Sequence, residues 1–496
     1  MKDAVVIGAG FGGLVSALMM ARDGLNVTVV ERNQKVAPLL RNYSYQGFEF
    51  NNGFHYLGGY YPGGALHRIF DHLGLLDRLK PLALNMDGFD HFLGFLDDPI
   101  TIPVGPARVR AVLDKAFPGN EPALDAYFVE LEKAFRDFDF LNLEEIFFRA
   151  DPKLVGRTLY DFLVERGADS PLIQFLNAYS EMLLGVTARE VPFLTHLLGV
   201  GAYFLSAHTF EGGGGALAEA LEARALECGV RIRTACRAVR IECEARRRFA
   251  GLRVRNDDGE EEILRADVCV STIHPKRFLS LLPEGPPFGL FARRVAGYRD
   301  TKAIFIFHLA VDRLVAGRFA GNWHLFHRHG AQAPQHGVTL LPDATRVPAP
   351  AATELRMTAL VAAWDNDKGE ACPGGRDPAC LERNPAGLCE REERVPAYVA
   401  GFQDRFTARL EAAFPEFHGA YRIIAVIAPC DLERMNATWN GSIYGLKCSP
   451  DRLGMTPRGP MKGLYLAGQS VVAPGIFGTL VSACLVSQRV CRRSLE

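Results

Sequence analysis

Gly8-Ala9-Gly10-Phe11-Gly12-Gly13, near the start of the chain, has the spacing of a turn that receives a dinucleotide phosphate. Gly8 allows the tight turn, Gly10 leaves the backbone bare where a pyrophosphate approaches, and Gly13 lets a helix lie close to a strand. Phe11 and Gly12 open that helix, whose unpaired N–H groups and partial positive charge suit an anion. Glu31, eighteen residues after Gly13, is placed to accept hydrogen bonds from a ribose, with Arg32 beside it. An acid rather than an arginine at the ribose position argues against a 2′-phosphate and leaves FAD or NAD.

These residues need a strand, a helix and a second strand to hold them. Ala4–Ile7 is a short apolar run of the kind that forms a buried strand. Leu14, Ala17, Leu18 and Ala21 recur with the period of a helix that buries one face, and Gly24 stops it. Val27, Val29 and Val30 make the second strand, and Glu31 stands at its end. After a connection over 33–45, a short strand with Phe48 and Phe50 runs into Asn51-Asn52-Gly53-Phe54-His55-Tyr56-Leu57-Gly58-Gly59. Its glycines permit close approach to a flat ligand, with His55 and Tyr56 beside it. A structural role for His55, bonding a loop carbonyl, stands equally open. Leu66, Ile69, Phe70 and Leu73 form a further helix ended by Gly74.

The βαβ start and the Gly-Phe-Glu-Phe-Asn-Asn-Gly-Phe-His-Tyr segment together resemble the phytoene desaturase-like flavoproteins, a group that includes carotenoid isomerases and retinol saturases. Asn51 stands where that family commonly has Asp, and Ala37-Pro38-Leu39-Leu40 stands where it usually has a Gly-Gly. The resemblance implies FAD as cofactor, Arg41 as a flavin contact, and a backbone contact from Val239 to the adenine end.

The second informative stretch lies near the other end of the chain. Gly463 to Ser470 reads as a strand ending in a turn at Gly468-Gln469-Ser470. Gly475, Phe477 and Gly478 then open an apolar helix that runs to about Val490. An NAD enzyme has no need of this distant return, whereas a flavin needs a second wall for its ribityl chain and ring. The positive helix end near Gly478 would stabilise negative charge on the pyrimidine side of a reduced flavin. Gly468-Gln469 resembles the retinol saturases, in which an Asp follows; Ser470 replaces that acid and offers a hydroxyl to the ribityl chain.

Bulk properties narrow the rest. The chain has 496 residues, enough for two domains, with 56 basic against 57 acidic side chains, so no net field suggests a nucleic-acid partner. No run reaches the ~18 apolar residues of a membrane span, and the N-terminus lacks a signal-peptide plan. Eleven cysteines without a CxxC pair read as reduced thiols of a cytoplasmic protein. From about Lys80 to Ala207 the chain is rich in Leu and Phe at helical spacing, as in 124–138 and 140–148. Most of this is ordinary core, with the cover of an apolar substrate tunnel as the functional expectation and peripheral membrane contact as a further one. Gly212–Gly215 begins a helix rather than a second nucleotide loop, because no buried strand is expected before it. His324, His327 and His329 alternate along an expected exposed hairpin and hold no metal. The stretch 365–393, with Cys372, Cys380 and Cys389, reads as a surface loop.

The expected fold is α/β: a discontinuous Rossmann-type FAD-binding domain (1–79, 206–290 and 440–496) and a mixed α/β substrate-binding domain (80–205 and 291–439). The resemblance implies an FAD-dependent oxidoreductase that exchanges hydride between flavin N5 and a carbon of a long apolar polyene or isoprenoid. The outcome would be saturation, desaturation or isomerisation, with His55 and Tyr56 as candidate catalytic residues. NAD(P)H or another electron donor or acceptor would serve the flavin. Three alternatives stand beside it: a reductive cyclase of polyene polyketides such as tetramate macrolactams, an amine oxidase, and a prenyl-binding carrier like the GDP-dissociation inhibitors.

Overall fold

The computed structural model describes residues 2–140, 143, 156–244, 247–327, 335–346, 351–364, 397–449 and 457–492. The stretch 365–393, His329 and most of 140–148 lie outside the described residues.

The βαβ unit forms as its sequence dictates: β1 (Asp3–Ile7), α1 (Phe11–Arg22) and β2 (Asn26–Val30). Both strands are apolar runs, and they pair in parallel with Val6 opposite Val29. Phe11 through Met20 are all buried, which goes beyond the single apolar face expected. The helices Gly475–Arg492 and Gly213–Glu227 both pack on α1, so α1 is enclosed on several sides. Full burial of Leu14 and Leu18 alone contributes on the order of 1.5–3 kcal/mol each. Gly24, at φ +86°, ends the helix.

A five-stranded parallel sheet grows around β1, in the order Arg231–Arg233, β2, β1, Val268–Ser271 and Leu464–Leu466. Five segments scattered from one end of the chain to the other thus form one sheet, and all their carboxyl ends open on one edge. An antiparallel three-stranded sheet (Cys236–Glu244, Arg248–Asn256, Glu261–Arg265) stands beside it.

A second body is built on a seven-stranded mixed sheet. Its order is Tyr421–Ile427, Ala303–Asp312, Glu354–Trp364, Gln335–Pro342, Asn322–His327, Asp90–Leu93 and Ile100–Ile102. Ala303 through Val311 are all buried, so the strand Ala303–Asp312 has apolar partners on both faces. The Phe-rich helices, among them Glu121–Arg136 and Ser170–Leu184, bury Phe128, Phe135, Phe175 and Tyr179. The fold is therefore the mixed α/β arrangement expected.

Four local expectations need correction. The connection 33–45 contains a strand, Tyr43–Tyr45, which forms a hairpin with Phe48–Phe50 through the positive-φ pair Gln46-Gly47. A buried strand, Ala207–Phe210, does precede the Gly212–Gly215 run, although it pairs antiparallel in a small separate sheet. The run itself starts a helix, as expected. Gly53 and Gly58 give room to the protein rather than to a ligand: a Cβ there would lie 2.5 Å from Leu39 Cγ and 2.5 Å from the Ala202 carbonyl carbon, respectively. The expected exposed hairpin at Trp323 is an inner strand, with Asp90–Leu93 parallel on one side and Gln335–Pro342 antiparallel on the other. Its His324 is 1% exposed.

Candidate functional site

At the carboxyl edge of the parallel sheet three loops converge. A Cβ on Gly13 would lie 1.9 Å from the Gly8 carbonyl oxygen, so helix and strand touch only because Gly13 has none. Gly8, at φ +96°, makes the turn. Thr272 closes the loop after Val268–Ser271 onto it, its hydroxyl donating to the carbonyls of Ile7 (2.9 Å) and Gly8 (3.1 Å). The third loop brings Gly468, at φ +106°, between Thr272 and Gly12: a Cβ on Gly12 would sit 3.3 Å from Gly468 Cα. Gly468 N–H donates to Ser482 Oγ of the following helix at 3.0 Å. The two glycine segments, more than 450 residues apart in sequence, are neighbours.

The site can receive the phosphates of a dinucleotide. A Cβ on Gly10 would meet nothing within 4 Å. Gly10 is also the N-cap of α1, with no side-chain cap and no acid in the first turn, so the first N–H groups remain open to an anion. Glu31, 6% exposed, accepts from Ala9 N–H (2.8 Å), Asn33 N–H (2.9 Å) and Asn33 Nδ2 (2.7 Å). Those three bonds tie the end of β2 to the phosphate loop and leave the carboxylate acceptor capacity for a ribose hydroxyl. Val239 sits at a β-bulge between Ala238 and Arg240 and has no ladder partner.

Most other expected contact residues also have protein partners. Arg32 donates to the Arg434 carbonyl at 2.5 Å. Arg41 donates from Nε to the Val36 carbonyl at 2.8 Å and pairs with Glu222 at 2.5 Å. Ser470 Oγ accepts from Leu446 N–H at 3.1 Å. Phe477 packs with Phe138 and Phe135, ring centroids 5.2 and 6.1 Å away. Gly478 lies against Ala473, whose carbonyl oxygen would be 2.3 Å from an added Cβ, and Gly475, at φ +75°, starts the helix. Gln469 is partly exposed beside Gly445.

His55 and Tyr56 point to different places. His55 lines a small cleft with Asn51, Asp343, Thr345 and Arg356. Burial pushes its imidazole down to about 4, against the opposing pull of Asp343. Tyr56 turns toward Tyr203, in an edge-to-face contact at 4.9 Å. Its hydroxyl donates to the carboxylate of Asp90 at 3.3 and 3.4 Å. Burial, with Asp90 adding to it, raises the Tyr56 phenol well above its ordinary value. Tyr444 completes the group, its hydroxyl donating to the Met182 carbonyl at 3.0 Å. Its neighbour Gly445 lies against Ser470, so Tyr444 stands next to the C-terminal glycine segment. Sequence reasoning missed Asp90, Tyr179, Tyr203 and Asn322. The alternation of Asp90-His91-Phe92-Leu93, with Asp90 and Phe92 inward, was the signal that could have found Asp90.

The profile of a family described as flavin containing amine oxidoreductase matches residues 11–340. The all-trans-retinol 13,14-reductase of Macaca fascicularis is 25% identical over 99% of this chain and 86% of its own. The 4,4'-diapophytoene desaturase (4,4'-diaponeurosporene-forming) of Staphylococcus aureus is 24% identical over 63% of each. In fold, the chain is similar to an oxidoreductase from Methanosarcina mazei, with a TM-score of 0.64, 18% identity and coverage of 98% and 99%. The expected kinship with phytoene desaturase-like flavoproteins holds, and the chain belongs to the flavin containing amine oxidoreductase family as an FAD-dependent oxidoreductase.

Proposed function

We propose that this protein moves a hydride and a proton onto or off adjacent carbons of a long apolar polyene or isoprenoid, so that a double bond is saturated, formed or shifted. The carrying observation is the contact of Gly12 with Gly468, which brings the two glycine segments together, while Gly445, next to Tyr444, lies against Ser470 of the second segment. The names of the matched reductase and desaturase support this substrate class.

FAD, when bound, supplies the hydride acceptor or donor. Gly8 to Gly13 and the α1 N-terminus would hold its diphosphate, Glu31 its ribose, and the Val239 backbone its adenine. Gly468, Gln469 and the start of the helix Gly475–Arg492 would back the ribityl chain and ring. Arg41, held by Glu222, would brace the loop that carries it, and Ser470 would brace Leu446. The protein's own share is to exclude water, align the chain against the tyrosine edge and handle the proton. His55, neutral at working pH, would be a hydrogen-bonding group rather than a charged acid.

Anaerobic incubation of the reduced and of the oxidised holoprotein with retinol, phytoene and diapophytoene, followed by mass spectrometry, tests the proposal. Gain or loss of pairs of hydrogens, or a changed isomer at constant mass, is the expected outcome. An FAD-loaded protein that leaves every polyene untouched and oxidises simple amines would overturn it.

A further inference from the structure

Asp90 is 0% exposed, and no lysine or arginine salt bridge reaches it among the described residues. Four side chains from other elements surround it instead. Tyr179 O–H donates at 2.6 Å, Asn322 Nδ2 at 2.9 Å and Tyr56 O–H at 3.3 Å, while His324 Nε2 stands 3.2 Å from Oδ1. His324 Nδ1 lies 2.9 Å from Thr339 Oγ1, and that hydroxyl lies 2.8 Å from His336 Nε2. The other titratable groups that face the pair are His91, whose ring bonds Thr101 and the Ala320 carbonyl, and Tyr203.

Such a carboxylate is a poor stability device. Taking it out of water costs several kcal/mol, which the hydrogen bonds it accepts must offset. A function for the carboxyl group explains it better. Of the four groups around Asp90, Tyr179 is 0%, Asn322 4% and His324 1% exposed, whereas Tyr56 keeps part of its surface open beside Tyr203 and Tyr444. Of the four, Tyr56 alone therefore has open surface.

We propose that Asp90, with His324 behind it, is the proton store for the reacting carbon, and that Tyr56 carries the proton between them. The proposal rests on the polyene function above and adds its proton half. When a double bond forms, the C–H bond beside the hydride-losing carbon breaks, and its proton bonds to the Tyr56 oxygen. The Tyr56 O–H proton passes to Asp90, the freed electron pair becomes the new π bond, and the hydride goes to the oxidised flavin. Saturation reverses each bond change, with reduced flavin as hydride source. The phenol exchanges one proton for another and never carries charge, which its strong resistance to ionisation requires. Tyr56 is the residue that touches substrate; Asp90 and His324 are positioning residues acting through it.

The test uses holoprotein of the wild type, Y56F, D90N and H324Q, each checked for flavin absorbance. With a polyene that the wild type converts, Y56F and D90N should lose about 100-fold in kcat with KM little changed, the range of a lost acid–base group. The pH profile of kcat should shift in D90N and H324Q. D90N that keeps both kcat and the wild-type pH profile overturns the proposal. A second arm needs no substrate: the 15N resonances of the His324 ring, identified by their loss in H324Q, should move in Y56F because the two share Asp90. Unmoved resonances overturn the proton path even where polyene turnover is found. An inert wild type whose resonances are coupled overturns the polyene function and keeps the path.

Discussion

Alanine at Gly10 and alanine at Gly13 should fail in opposite ways. Gly10 has φ −69° and ψ −180°, an extended conformation open to any residue, and its added Cβ meets nothing within 4 Å. Without FAD, Gly10→Ala should be neutral or more stable by roughly 0.4–1 kcal/mol, since alanine narrows the unfolded ensemble. On the proposed cofactor placement, the same methyl stands where the diphosphate approaches the backbone. Loss of one charge-assisted hydrogen bond, about 1.5–3 kcal/mol, weakens FAD binding by about 10- to 150-fold. Gly13→Ala puts its Cβ 1.9 Å from the Gly8 carbonyl oxygen, which β1 holds in place. Helix and strand must part by about an ångström, and overpacking of that kind costs about 1–3 kcal/mol. Urea unfolding of FAD-free protein, paired with FAD titration by flavin fluorescence, separates the two. Gly10→Ala should unfold like the wild type and bind poorly; Gly13→Ala should unfold early with or without FAD. Wild-type affinity in Gly10→Ala would refute the placement of the diphosphate at Gly10.

Three further outcomes follow from single contacts. Ser470→Ala strands the Leu446 N–H without its acceptor and should lower stability by about 1–3 kcal/mol while FAD content holds; lost FAD at unchanged stability would return the hydroxyl to the ribityl chain. His196 and His308 are both 0% exposed, and burial pushes each imidazole down to about 3. The unfolded chain, near 6.5, therefore takes up these protons first, so their stability is present above about pH 6.5 and lost as pH falls toward 3. At pH 5 each should have lost about 2 kcal/mol, and His308→Gln should flatten the decline in urea midpoint between pH 7 and 5. On the proposed backbone contact at the bulge, Val239→Ala should keep its FAD content, whereas Val239→Pro, which removes the N–H, should reduce it. FAD content of the purified proteins by absorbance checks this, and an unchanged Val239→Pro refutes an N–H contact.

The legible parts of the fold were those complete within a short span. Gly8 to Glu31 carries its own strand, helix, stop and second strand, so every rule it obeys is local. Gly463 to Gly478 is similar, and the structure lays the two together. Gly53 and Gly58 misled because close packing explains a glycine as well as a ligand does, and the atoms they clear, from Leu39 and Ala202, come from elsewhere. The strand around His324 misled for the same reason. Polar and aromatic residues in alternation look solvent-facing until a parallel partner far away in the chain covers them.

That same long-range pairing assembles the buried polar cluster the sequence concealed. Asn322 reaches Asp90 across 232 positions, because Asn322–His327 and Asp90–Leu93 lie parallel and in register. The glycine segments and the Asp90 cluster thus belong to different sheets, and on the proposed function the tyrosines are where the two approach. Tyr444 follows the loop through Gly445 to Ser470, and Tyr56 follows Asp90. Gly185 supports this seam: a Cβ there would lie 2.7 Å from Thr301 Cγ2 and 3.1 Å from Tyr444 Cδ2. If the proposed function holds, a change on the seven-stranded sheet alters which carbon meets Tyr56 while the contacts among Gly8, Gly12, Gly13 and Gly468 stay as they are. Substrate choice and cofactor binding should respond to separate sets of substitutions, with Tyr444 and Gly185 the positions that move both.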